Sequence, residues 1–385
     1  MYKKNIRLLK IFNFLIGFSL FAPLAIIYFS RVSGSYTLGA SIFGITMLSS
    51  AIFEVPTGVW SDRVGRRGTI ILGSWARVLA FILYAVGLSY WWLVAGAILE
   101  GLSRAFYSGN NDAFLHDTLS DDHVVEEYDE HLGKTSSMEH IAIGISGLLG
   151  GLIASFSFSY VMWLSVVSQI IMVYISYKFI EPKNRTNITT NTFSHLKEAV
   201  QLFIHNKKLR LLAITDTISF STGEVGFQFR SAFLQSVWPL WGIGLVSTAT
   251  SIGASFSFYF NSKIIKQVGA EKMLLIRSIY GKISSLIAYG IPSIFSPLIV
   301  ITPSLLYGAG QVAQSKLLQR EFSERQRATM SSLNSFLGSI GFAIMSIVVG
   351  MLADFTNPAI ALFSLALISL PTIPLHYLIF KRRNS

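Results

Sequence analysis

Residues 53–67 read Phe53-Glu54-Val55-Pro56-Thr57-Gly58-Val59-Trp60-Ser61-Asp62-Arg63-Val64-Gly65-Arg66-Arg67. They join two apolar runs, roughly 38–60 and 69–90. A helix crossing a bilayer needs about 20 mostly apolar residues, and each run is that long. A short polar island between two such runs predicts two membrane helices and a tight turn. Gly58 permits close approach of a neighbouring helix, and Gly65 permits the turn itself. Asp62 places a carboxylate at a helix end, and Arg63, Arg66 and Arg67 place cations beside it.

The pattern repeats along the chain. Apolar stretches fall at about 11–29, 38–60, 69–90, 91–116, 136–158, 160–180, 209–236, 240–262, 272–292, 297–319, 328–353 and 358–380. The 385 residues are 52% hydrophobic and 13% charged, with a mean hydropathy of +0.54. A soluble domain carries about 25% charged residues, so little of this chain can face water. The reading is an all-α polytopic membrane protein with twelve transmembrane helices. The absence of cysteine excludes disulfides, thiolate metal sites and cysteine nucleophiles.

The net charge of +11 does not indicate a nucleic-acid partner, because the basic residues occupy short gaps between apolar runs. Placing the N-terminus in the cytoplasm puts 24 of the 31 Lys and Arg residues on the inner side. Only Arg31 is then outside; Arg77, Arg104, Arg230, Arg277, Lys282 and Lys316 lie within spans. Both termini are therefore expected in the cytoplasm, and the first apolar run is expected to be a retained helix rather than a signal peptide. Residues 181–208 form a polar link between two six-helix halves, 1–180 and 209–385. Apolar spacing at Phe193, Leu196, Val200 and Phe203 predicts a short interfacial helix there. The acidic segment 119–135 is read as a solvated loop. A weak repeat relates Val64-Gly65-Arg66-Arg67 to Val268-Gly269-Ala270-Glu271-Lys272, and Arg77 to Arg277. Two repeated halves around a midplane site are a recurrent transporter plan.

The stretch Gly58 to Arg67 resembles, at every fixed position, the signature of the major facilitator superfamily, and residues 53–58 resemble the same family. The likeness covers the whole chain and implies the fold of that family, two pseudo-symmetric six-helix halves. It also implies roles. Asp62 would cap the positive N-terminal end of the eleventh helix, near Thr329 to Ser332. Arg66 would pair with Asp117 at the end of the fourth. These contacts would close the inner side. Gly101 to Asp117, and Gly223-Glu224 with the aromatics after it, resemble helices four and seven of bacterial efflux-type members.

An ionisable side chain at mid-bilayer costs about 2.5–3.5 kcal/mol on insertion scales, so each invites explanation. Glu100 and Arg104 are four residues apart on one helix face. They either line a cavity, with Asp112 further on, or simply neutralise each other. Glu224 has no basic partner one turn away and is the candidate proton carrier, unless Lys282 or Lys316 meets it from another helix. Gln228, Arg230 and Lys316 complete the candidate substrate and proton cavity. Gly144, Gly147, Gly150 and Gly151 are read as small residues for helix packing. No nucleotide-binding loop, nucleophile elbow or clustered His set appears, so neither enzyme activity, cofactor nor metal is expected. The expectation is a monomeric carrier in the cytoplasmic membrane, exchanging protons for a small amphipathic molecule. Uptake of a metabolite is the alternative, and a non-transporting receptor or lipid scaffold is a third reading.

Overall fold

The computed structural model describes residues 2–183, 207–321 and 324–380, without the side chains of Val55, Val59, Asp62, Lys208 and residues 321–333. The expected interfacial helix at Phe193 to Ile204 lies outside the described residues. Among them the fold is helical throughout. The helices are α1 (Tyr2–Gly17), α2 (Ala25–Ser33), α3 (Tyr36–Val86), α4 (Tyr90–Tyr107), α5 (Asn110–Asp121), α6 (Tyr128–Ala154) and α7 (Phe158–Tyr177). After the link come α8 (Lys207–Leu234), α9 (Leu240–Tyr259), α10 (Asn261–Val268), α11 (Ala270–Gly290), α12 (Ser296–Ile301), α13 (Ser304–Glu321), α14 (Glu324–Phe355), α15 (Pro358–Ser369) and α16 (Thr372–Phe380).

Every expected span falls on one of these helices or on a consecutive pair. Seven described segments are long and apolar enough to cross a bilayer, and an eighth is if α9 and α10, bent by 63°, form one span. The breaks have local causes. α3 contains two helical segments joined at Gly65, whose φ of 85° and ψ of 168° are open almost only to glycine. The run 91–116 is not one helix: Gly109 adopts φ 67° and α5 starts afresh at Asn110. Pro303 follows the end of α12, and Pro371 separates α15 from α16. The acidic segment is mostly helical rather than a loop, divided between α5, a turn at Val125–Glu127 and α6.

The first and second sets of helices meet mainly through α3 against α14 and α6 against α9. Small residues make this possible. A Cβ at Gly350 would lie 2.7 Å from the Thr37 Cα, and one at Gly44 would lie 3.1 Å from the Ala343 Cα. Gly151 likewise faces Gly244, Gly147 faces Ser247, and the Thr248 hydroxyl donates to the Gly144 carbonyl at 2.8 Å. The glycines of the fifth run are thus packing residues. Toward the Gly65 end the picture changes. Trp60 is 53% exposed, Glu54 and Arg63 are exposed, and a Cβ at Gly58 would meet nothing within 4 Å.

Candidate functional site

The turn at Gly65 is the first site. It breaks the helix, so the N–H groups of Arg66 and Arg67 have no partner from the preceding turn. The Glu181 carboxylate accepts both, each at 2.8 Å. An anion here also complements the positive helix terminus. The Arg66 Nε donates to Asp117 at 3.1 Å, and Asp117 is fully buried. Arg66 also reaches the Ser61 hydroxyl at 3.2 Å, and Ser61 donates to buried Asn110 at 2.9 Å. Asn110 closes the ring by donating to the Arg66 carbonyl at 3.1 Å. Arg67 turns outward to the Tyr177 carbonyl at 2.9 Å. Arg63 is exposed. The expected cap of the eleventh helix by Asp62 lies outside the described side chains. Glu181 and Asn110 were not among the expected site residues; the available signal was an acid directly after the sixth apolar run.

The second site is central. Glu100 is 9% exposed and accepts three hydrogen bonds. Arg104 donates from two nitrogens, at 2.8 and 3.2 Å, and the buried Tyr84 hydroxyl donates at 2.9 Å. Arg77 adds a favourable charge. Arg77 itself donates to Gln169 at 3.0 Å and to the Ile16 carbonyl at 2.9 Å. The Arg104 guanidinium is half exposed and also lies within electrostatic reach of Glu224 on α8. Glu224 accepts from Gln228 at 3.1 Å. No ion pair among the described residues joins it to Lys282 or Lys316. Arg230 lies over the Phe227 ring at 5.5 Å and contacts the Tyr289 hydroxyl.

Two expected members stand apart. Asp112 is exposed on α5, beyond the Gly109 break and near Tyr128. Lys316 is exposed on α13. Asp216, one of the charged residues of the seventh run, has a defined setting. It accepts from Gln314 at 3.3 Å and from Asn334 at 3.0 Å, joining α8, α13 and α14. Its two amide partners come from distant runs, so spacing within its own run could not show them.

A helical membrane bundle with charged and amide side chains buried at mid-span, and a charged turn at one end, has the make-up of a multi-pass membrane carrier. The sequence profile of the Major Facilitator Superfamily matches residues 8–320, and the chain belongs to that superfamily of membrane transporters. It is 24% identical over 260 residues to an uncharacterized transporter, BU466, of Buchnera aphidicola, and the match spans 65% of each chain. It is 22% identical to Multidrug resistance protein 2 of Bacillus subtilis, over 86% of each. Among solved structures the nucleoside transporter NupG superposes with a TM-score of 0.80. That match covers 98% of this chain and 99% of NupG at 13% identity, a likeness of fold.

Proposed function

We propose that this transporter exports a small amphipathic molecule across the cytoplasmic membrane in exchange for protons. In this reading twelve helices cross the membrane, residues 1–180 and 209–385 are the moving halves, and 181–208 links them. The working unit is a monomer that leaves its cargo chemically unchanged. Both termini and the Gly65 end face the cytoplasm, and the tightly packed Gly350 end faces outside.

The observation that carries the reading is the position of Arg104. It is bonded to Glu100 on its own helix and lies within reach of Glu224 from the other half. A cation bonded to a carboxylate of one half and within the field of a carboxylate of the other couples protonation to their relative position. Neutralising Glu224 weakens one attraction and leaves Arg104 to Glu100, so each protonation state favours a different arrangement. Exposed Phe227 beside Arg230, together with Gln228, offers an amphipathic cargo aromatic surface and hydrogen bonds. Asp216 is a second carboxylate able to carry the proton, held by neutral amides. The likeness to Multidrug resistance protein 2 supports export.

The test uses energised inside-out vesicles holding the full chain. Lumenal pH is followed while candidate compounds are added. A compound-triggered loss of the gradient that vanishes in Glu224→Gln is the expected result. Loss that persists in Glu224→Gln and vanishes in Asp216→Asn would move the proton site to Asp216. No response in any compound, with accumulation in right-side-out vesicles, would overturn export in favour of uptake.

A further inference from the structure

The N-terminus of α3 is finished by a residue from the other half of the molecule. The first N–H groups of a helix have no partner within it. In α3 the third of them, Leu38, is satisfied locally: the Ser35 hydroxyl accepts its N–H at 3.1 Å. The first two are not. The N–H of Tyr36 donates to one carboxylate oxygen of Asp354 at 2.7 Å, and the N–H of Thr37 donates to the other at 2.8 Å. The Thr37 hydroxyl donates to that second oxygen as well, at 2.6 Å. Asp354 stands at the C-terminal end of α14, more than 300 residues away in the chain. The contact is exposed at its rim and backed by close packing, with Gly350 against Thr37 and the Tyr36 ring 5.5 Å from Phe229 of α8.

We infer that Asp354 is the outer latch of the transport cycle, a residue that holds the outward mouth shut by capping a helix of the opposite half. The chemistry suits a latch. A carboxylate at a helix N-terminus gains from the aligned peptide dipoles as well as from hydrogen bonds. All three donors and the acceptor stand near water, so on opening each can be rehydrated. The bond is therefore strong enough to bias an equilibrium and cheap enough to break in each cycle. By family resemblance the arrangement would have a counterpart at the opposite end of the same helix pair. The segment of α3 before Gly65 runs from Tyr36 to Val64, roughly 40 Å at 1.5 Å per residue. Asp354 caps its start, and Asp62 lies near its finish. By family resemblance Asp62 would cap the start of α14. Two aspartates, each near the end of one helix and serving the start of the other, would set the balance between inward-open and outward-open states. The inference rests on alternating access and on the topology above, but not on the cargo, the direction or the proton.

The native chain has no cysteine, so reporters can be placed without background. Leu88 and Ile291, both over 70% exposed and one from each half, are replaced by cysteine and spin-labelled in the full-length protein. The distance distribution across the outer mouth is then read without cargo or gradient. Asp354→Ala should raise the ratio of open to closed populations about tenfold, the scale of a favourable helix-terminal charge. Asp354→Asn should give a smaller shift in the same direction, and Thr37→Val, which removes one donor, a shift of roughly a few-fold. Asp354→Glu, which keeps the charge, should recover part of the closed population. Unchanged distributions in Asp354→Asn and Thr37→Val would overturn the latch, as would a loss of thermal stability in either without a distance change. Either milder variant suffices if Asp354→Ala does not fold. A failed vesicle assay with a shifted distribution would count against the proposed transport chemistry alone and leave the latch standing.

Discussion

The turns at Gly65 and Gly269 are built on one backbone and carry opposite electrostatics. Both glycines have φ near 85°, with ψ of 168° and 147°, and each starts a new helical segment. In the first turn the loop supplies the cation, and the helix before the next crossing supplies the anion. Arg66 meets Asp117, with the carboxylate fully buried and the guanidinium 12% exposed. In the second the signs are exchanged. Glu271 of the turn accepts from Arg320 of α13 at 2.9 Å, and both side chains are more than a third exposed. The repeat has thus kept the turn and the position of the pair, while its polarity and its depth diverged. Backbone geometry and ion-pair energetics are separable here, because the glycine fixes the path of the chain and burial fixes what the pair is worth.

The largest effect that would break the comparison is in the pairs themselves. Arg66→Ala strips the buried Asp117 of its guanidinium. Such a loss is expected to cost on the order of 3–5 kcal/mol. Arg320→Ala exposes Glu271 to water and is expected to cost about 1 kcal/mol or less. Thermal unfolding of both variants in the same detergent measures the contrast. Adding Asp117→Asn should recover part of the Arg66→Ala loss. Equal costs would show that burial does not separate the two turns.

A smaller effect tests the feature they share. Gly65→Ala and Gly269→Ala force a side chain into a backbone region that is nearly glycine-only, and each should cost roughly 1–3 kcal/mol. A tolerated substitution at either would mean that its turn can be closed another way. The smallest effect concerns an anchor found in the first half, where the Tyr2 N–H donates to Asp122 at 2.8 Å. That bond holds the Asp122 carboxyl below the usual carboxylate range. A lowered folded value means that the stabilisation is complete above the unfolded pKa, about 4, and is lost as pH falls through the folded value. Protection factors at α1, corrected for the intrinsic pH dependence of amide exchange, should therefore fall on acidification in the native protein. In Asp122→Asn they should already be lower at neutral pH and should change less.

Much of this was legible in the sequence, for reasons that differ by element. The apolar runs were readable because a bilayer demands about 20 apolar residues per crossing. The Gly65 turn was readable because little else than glycine adopts its backbone. The acid before the Gly65 turn and the cations within it are plain in the sequence. The run 91–116 reads as one span because a glycine inside an apolar run also fits a continuous packed helix, which hides the break at Gly109. Glu224 has no basic partner one turn away on its own helix, and Arg104, whose field it shares, lies 120 residues earlier. The amide partners of Asp216 on α13 and α14 are set by helix packing, which spacing within its own run does not show. Nothing local marks Asp354, because an acid at the end of an apolar run is ordinary.

The sequence by itself determined that this is a membrane bundle of two related sets of helices, where the chain turns, and which side chains are costly to bury. Those follow from local constraints, namely hydropathy, backbone freedom and charge. Only the tertiary structure decided which of those side chains meet. Arg104 binds Glu100 and feels the charge of Glu224, and Asp354 caps a helix that begins near the other end of the chain, because packing across the two sets of helices brings distant residues together. No periodicity within a single run encodes such a pairing.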